Sequence, residues 1–251
     1  MRNRTGSGAC ATIAAARDLL RTLRHDLAAL RPGTGRRWSV TIATGWIICA
    51  ALSAGITKWA QGADPQWLRA WDERTLLAIE RGPISFQNAI LLESPGNLIY
   101  MIPLVICVAI VAIRWRRPVF AVTVIASYVL ARTHVILGWN LWDRPRPQLI
   151  AGGVAAPPLH SFPSGHIVLA MSVYLLLAYA WCRASRSWIE RIIAIVLTLA
   201  WCAAAGLARV RLGSHWPSDV IAGGVIGLAW AAVVILAVHR SDRAVDAPHD
   251  V

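Results

Sequence analysis

Six long apolar runs constrain this chain more than anything else in it: Trp38–Thr57, Leu98–Ile113, Val119–Ala131 continuing past Arg132 and His134 to Trp139, Ile167–Cys182, Ile192–Ala208 and Val220–Val238. A helix rises about 1.5 Å per residue, so each run approaches the roughly 20 residues needed to cross a hydrocarbon layer. The chain has 251 residues, is 57% hydrophobic and has a mean hydropathy of +0.52, more apolar than a soluble domain of this length usually is. Short charged loops between the runs argue against six buried helices of a soluble protein. The fold class expected is therefore all-α, an integral membrane bundle of six transmembrane helices. It divides into a basic N-terminal segment (1–37), a six-span domain (38–239) and a short tail (240–251).

Basic residues orient such a bundle, because Lys and Arg are retained on the cytoplasmic side. With both termini inside, sixteen basic residues fall there: eight in Met1–Trp38, three in Arg114–Arg117, three in Arg183–Arg191 and two after Val238. Eight fall outside, and four of those, Arg144, Arg146, Arg209 and Arg211, stand in or beside the polar motifs described below. The net charge of +12 thus reads as a topology signal and as affinity for anionic membrane lipids. It is not taken as a sign of nucleic-acid binding.

Several of the thirteen tryptophans, among them Trp38, Trp59, Trp115, Trp139, Trp181 and Trp216, fall near span ends, as an interfacial aromatic belt would. The five cysteines are scattered without paired spacing, so neither a disulfide framework nor a metal site is expected. The N-terminal segment lacks the continuous apolar core of a cleavable signal, which makes the first span an uncleaved anchor. Leu20, Leu23, Leu27 and Leu30 recur at helical spacing among arginines. They suggest either a basic helix lying on the inner surface or a solvated tail. Trp67, Trp71, Leu76 and Ile79 predict an interfacial helix within Asp64–Gln87.

Chemistry concentrates in three stretches. In Ser161-Phe-Pro-Ser-Gly-His166 a helix begins at once, so Ser164 is placed as its N-cap and Gly165 lets an oxyanion approach the first free amides. His166 then stands in the first turn. Taken alone, it is as readily an ordinary hydrogen-bonded histidine. In Arg209-Val-Arg-Leu-Gly-Ser-His215-Trp-Pro-Ser-Asp219, an i,i+4 spacing can set the Asp219 carboxylate on one ring nitrogen of His215 and leave the other free for attack. Asp219 also suits the N-terminal turn of a helix started by Pro217. Arg209 offers a planar fork for phosphate oxygens. In Asp143-Arg-Pro-Arg-Pro147, prolines stiffen a loop that can aim Arg146 at the same anion.

In this order, Arg146-Pro147, Pro163-Ser-Gly-His166 and Arg209…His215…Asp219 resemble the type 2 phosphatidic acid phosphatase family of membrane lipid phosphatases, whose site soluble haloperoxidases share. The resemblance covers roughly Trp38–His239. It implies that His215 is the nucleophile forming a phosphohistidine, that Asp219 orients it and that His166 protonates the leaving group. Arg146, Arg209, Ser164 and the Gly165 amide would hold the phosphoryl oxygens, without a metal or other cofactor.

Two positions depart from the family pattern. Ala208 stands where a serine usually precedes Arg209. Trp139 stands seven residues before Arg146, where the family carries a lysine; the only lysine here is Lys58, far away in the chain. Arg144, in the same loop, and Arg132, within the third span, are the candidate substitutes. Arg132 is costly to bury in lipid, and is expected to face the bundle interior with His134 as neighbour, or to snorkel.

The reading that follows is a membrane phosphatase acting at the extracytoplasmic face of the cell (inner) membrane on a lipid phosphate or diphosphate. Polyprenyl (undecaprenyl) diphosphate, phosphatidate and phosphatidylglycerol phosphate are the candidate substrates. A lipid phosphotransferase using the same phosphohistidine and a non-catalytic lipid-phosphate binder are the alternatives.

Overall fold

The computed structural model describes residues 5–150, 153 and 159–246, and the extreme ends of the 1–37 and 240–251 segments lie outside them. Helix α1 (Thr5–Ala28) is followed by α2 (Thr34–Ala63), which passes through a π-helical turn, Asp64–Leu68, into α3 (Arg69–Glu80). Next come α4 (Phe86–Glu93), a 3-10 turn at Ser94–Gly96, α5 (Leu98–Arg114) and α6 (Pro118–Leu141). The chain ends in α7 (Gly165–Ala184), α8 (Trp188–Arg211) and α9 (Pro217–Asp246). Among the described residues there is no strand, and six helical runs are long and apolar enough to cross a membrane. The protein is an all-helical six-span bundle.

Helix α7 is the central element, with Val168, Ala170 and Leu176 wholly buried and neighbours on several sides. It packs along α9 at a seam that needs glycine: a Cβ at Gly227 would lie 2.7 Å from the Met171 Cβ and 2.8 Å from the Val168 carbonyl oxygen. Small residues at such seams let two backbones approach closely, the main route to helix association in lipid. Trp230 of α9 is wholly buried and donates its indole N–H to the Ser127 carbonyl of α6 at 2.9 Å. Helix α8 does the opposite. Trp188, Ile189, Ile192, Ile193, Val196 and Leu197 are all at least half exposed, an apolar face suited to lipid and costly in water.

The amphipathic N-terminal segment forms α1, with Leu19 and Leu23 against Ala112, Ile113 and Ala121 where α5 meets α6. Leu20 and Leu27 face outward, so the leucine stripe is only partly used for packing. Of the tryptophans near span ends, Trp59, Trp115 and Trp181 are exposed, whereas Trp38 and Trp216 are tied inward by indole hydrogen bonds. The helix expected outside the first span is present as α3. It continues α2 rather than standing apart, and Leu76 packs with Val210 and Trp216. This places α3, α4, the C-terminal ends of α6 and α8, and the N-terminal ends of α7 and α9 together at one end of the bundle, opposite α1.

Candidate active site

His215 lies in the tight connection between α8 and α9 and is 2% exposed. Its Nδ1 is 2.9 Å from the Ser161 carbonyl oxygen and 3.4 Å from Asp219 Oδ2. A carbonyl only accepts, so Nδ1 carries the proton and Nε2 keeps its lone pair. Burial, with the Arg209 and Arg146 charges added, pushes the His215 imidazole down to about 4 against the pull of Asp219. At neutral pH the ring is uncharged and oriented, as a nitrogen nucleophile must be. Sequence spacing pointed to Asp219 as the partner of Nδ1. The shorter bond goes to the Ser161 carbonyl, with Asp219 as a second, electrostatic neighbour.

Asp219 is itself held from several sides. Its Oδ2 accepts from the Ser161 hydroxyl and, at 2.8 Å, from the Trp216 amide; its Oδ1 accepts from Arg144 Nη1 at 2.7 Å. Arg144 is 2% exposed and also reaches Ser218 Oγ (2.8 Å), Asp64 Oδ1 (2.6 Å) and Asp72 Oδ2 (2.7 Å). Trp142 and Trp216 place ring faces 4.7 and 5.6 Å from its guanidinium carbon. Burial alone would lower the Arg144 pKa, but Asp219, Asp72 and Asp64 outweigh it and the net shift is upward. Arg144 was a candidate phosphate ligand. Its donors face three carboxylates and a hydroxyl, and the structure makes it the centre of a buried ion cluster behind His215. Asp64, Asp72, Ser161 and Ser218 join that cluster without having been singled out in the sequence.

The side chains expected to hold phosphate are Ser164, Arg146 and Arg209, with the Gly165 amide. Ser164 occupies the N-cap of α7 and is wholly buried, yet its hydroxyl makes no capping bond and has no partner. The first-turn amides of α7 are thereby left to an incoming oxyanion. Gly165 also lies tight against α6: a Cβ there would meet a Val135 methyl at 3.0 Å, so a larger residue would need that side chain to give by a few tenths of an ångström. Arg146 donates to the carbonyls of Ser214 (2.5 Å) and His160 (3.3 Å), and its Nη1 stands 3.3 Å from His215 Nε2. Burial and then the nearby Arg209 charge lower the Arg146 pKa. The Asp219 carboxylate opposes that shift without cancelling it. Arg209 binds the Glu93 carboxylate through Nη1, while its buried Nε has no partner. His166 completes the set; its Nε2 donates to the Glu93 carbonyl at 2.8 Å, which turns Nδ1 to the remaining side. Gly96 permits this placement, because a Cβ there would fall 2.1 Å from the ring.

The helical bundle that carries these residues has counterparts. A model of the PAP2 superfamily matches residues 118–243, which take in α6, α7, α8 and most of α9. The chain belongs to the PAP2 superfamily. Among solved structures, a transmembrane PAP2 type phosphatidylglycerolphosphate phosphatase from Bacillus subtilis superposes with a TM-score of 0.62 at 20% identity, over 78% of this chain and 92% of that one. LpxE of Aquifex aeolicus gives 0.52 at 19% identity, over 65% and 93%. At such identities the likeness is one of fold. No curated protein matches the chain in sequence.

The positions where this PAP2 chain departs from the expected pattern have physical explanations. Ala208 is wholly buried against Ala89 and Leu212, so a small apolar side chain there seats α4 on α8. Trp139 stacks on His160 (5.7 Å between centroids, 21° between planes) and directs its indole N–H at the Pro163 carbonyl, 3.3 Å away. An uncharged aromatic ring thus stands where the expected pattern has a cation. Arg132 lies about 10 Å deeper along α6 than Trp139 and forms no ion pair or hydrogen bond with a site residue among the described contacts. His134 is not its companion: it sits on another face of α6, between Trp46 and Trp230 at 5.8 and 5.3 Å. Lys58, remote in sequence, reaches the C-terminal turn of α6 and donates to the Leu141 carbonyl at 3.3 Å, in an exposed position.

Proposed function

We propose that this PAP2 protein is an integral membrane phosphatase that releases phosphate from a lipid phosphate or diphosphate through a phosphohistidine at His215. The observation that carries this reading is the meeting of a neutral, oriented His215 with buried donors that have no protein partner, Ser164 Oγ and Arg209 Nε, beside Arg146 and the free end of α7. In the first step His215 Nε2 attacks phosphorus, the bond from phosphorus to the leaving oxygen breaks, and that oxygen takes a proton from Nδ1 of His166, whose ring enters the step as the imidazolium with its Nε2–H kept on the Glu93 carbonyl. In the second step a water gives a proton to His166 and attacks the phosphohistidine; the P–N bond breaks and inorganic phosphate departs. Arg146, Arg209, Ser164 and the α7 amides stabilise the spread negative charge, the main requirement of phosphoryl transfer.

A site at the end of a membrane bundle receives an amphiphile whose head group reaches the cradle. The phosphatidylglycerolphosphate phosphatase activity of the Bacillus subtilis neighbour supports including phosphatidylglycerol phosphate among the candidate substrates; phosphatidate and polyprenyl diphosphates are the others. The excess of basic residues at the α1 end supports a cytoplasmic location for both termini and an extracytoplasmic site. The charge stabilisation comes from guanidiniums, while Asp64, Asp72 and Asp219 are engaged by Arg144, so turnover is expected to survive chelation and to be inhibited by vanadate.

The test is phosphate release by the purified protein in detergent across lipid monophosphates and diphosphates. His215→Ala should abolish turnover and covalent labelling. His166→Ala should accumulate acid-labile phosphohistidine on a substrate with an activated leaving group, because acid help is then needed least in the first step. Phosphoenzyme formation by His215→Ala, or wild-type turnover by both variants, would overturn the assignment of roles.

A further inference from the structure

Helix α4 lies outside the residues matched by the PAP2 superfamily and carries none of the three motifs, yet it touches two of the site's functional side chains. It is fastened to α8 at both ends. Near its start, Arg211 Nε donates to the Ile84 carbonyl at 2.9 Å; at its end, the Glu93 carboxylate binds Arg209 Nη1. Between them Ala89 packs with Ala208, one helical turn before Glu93 on α4 and one residue before Arg209 on α8. The following turn is tied to α7, where Tyr174 Oη donates to the Pro95 carbonyl at 3.0 Å and His166 donates to the Glu93 carbonyl at 2.8 Å.

How Glu93 holds Arg209 decides what it does. A guanidinium offers two bidentate edges, the Nη1–Nη2 end and the side formed by Nε and Nη2. Glu93 takes Nη1, the nitrogen remote from the side edge, while Nε is buried and unpartnered. The carboxylate therefore anchors the fork without covering its side edge. Both partners are largely buried, at 14% and 8% side-chain exposure, so the pair is shielded from solvent.

We infer that Glu93 is a positioning residue of the phosphate site: its carboxylate holds Arg209 so that the Nε–Nη2 edge meets the phosphoryl oxygens, and its backbone carbonyl sets the His166 ring. This rests on the phosphatase reading for its catalytic meaning, but its first consequence is anion affinity. The opposite role, a carboxylate that competes with phosphate for Arg209, makes the opposite prediction on removal of the charge.

The experiment measures inorganic vanadate binding to the purified full chain in detergent by calorimetry, alongside lipid phosphate turnover. Glu93→Ala should weaken vanadate binding by roughly tenfold, the scale of one lost charge-assisted hydrogen bond that orders a ligand, and Glu93→Gln, which keeps an acceptor, by less. In an Arg209→Lys background, which lacks the fork, Glu93→Ala should add little. Should Glu93→Ala fail to fold, Glu93→Gln carries the test with the same sign. Unchanged or tighter vanadate binding in the Glu93 variants overturns the inference. A wild-type protein that binds vanadate but hydrolyses no lipid phosphate overturns the proposed function while leaving Glu93's role standing; one that binds no vanadate overturns both.

Discussion

Replacing Arg144 by leucine removes the one cation that three buried carboxylates share. In the structure its guanidinium is 2% exposed and makes bonds of 2.6 to 2.8 Å to Asp64, Asp72, Asp219 and Ser218. Asp64 keeps Arg69 as a second partner at 2.6 Å, and Asp72 keeps the amide and hydroxyl of Ser218. Asp219 keeps only uncharged donors and the neutral ring of His215. Removing one member of a buried ion pair typically costs about 3–5 kcal/mol, because an uncompensated charge stays behind. The size of the cluster makes that a lower bound here. For a domain of this length each kcal/mol moves Tm by roughly 2–4 °C, so a fall of at least roughly 6–20 °C is expected.

Arg146→Leu is the control for this experiment, since it removes a largely buried guanidinium from the same loop. Arg146 bonds to backbone carbonyls, and its loss leaves no carboxylate without a cation. Its cost should stay within about 1–3 kcal/mol. Intrinsic fluorescence from the thirteen tryptophans gives the unfolding curve in detergent. Acidification should narrow the gap between Arg144→Leu and wild type, because protonation neutralises the orphaned carboxylates. Arg144→Lys should fall between, as three donors on one nitrogen cannot span four acceptors. Equal losses for Arg144→Leu and Arg146→Leu, or a gap that does not change with pH, would refute the argument.

Two further outcomes are expected. Burial holds the folded His215 pKa at about 4, below the unfolded value near 6.5, so the unfolded chain takes up the proton first; this group's contribution to stability is present above about pH 6.5 and is lost as pH falls toward 4. NMR titration of labelled imidazoles, with His215→Gln assigning the resonance, should show a midpoint near 4, and one near 6.5 would contradict it. Cysteines placed at Gln148 and Arg186 in a cysteine-free background should react with impermeant reagents from opposite sides of the membrane, Gln148 from outside; labelling of both from one side would sink the six-span orientation.

The spans were legible because membrane insertion is read from local composition. A run of apolar residues has nowhere else to go, and its length sets the outcome. Limits at the ends follow from the same cause: α2 continues through Asp64 and Trp67 into α3, since helix hydrogen bonding does not stop where hydropathy does. The grouping of His166, His215, Asp219, Arg146, Arg209 and Ser164 was legible for a second reason. Each sits at a helix end or in a tight loop, where a few neighbouring residues define the backbone that presents it.

What escaped is nonlocal. Asp64 and Asp72 meet Arg144 across 80 and 72 positions, and Glu93 meets Arg209 across 116. No periodicity or spacing rule relates residues so far apart, and acidic residues on a Trp-rich helix read naturally as a solvated face. The two arginines of Arg144-Pro-Arg146 make the point most sharply, since charge and side chain are the same and each is followed by a proline. Arg144 turns into the bundle because α3 and the α2–α3 turn bring carboxylates there, whereas Arg146 turns to the carbonyls around His215. Which of the two is left beside His215 is therefore decided by the connection between the first two spans, a part of the chain that carries none of the three motifs.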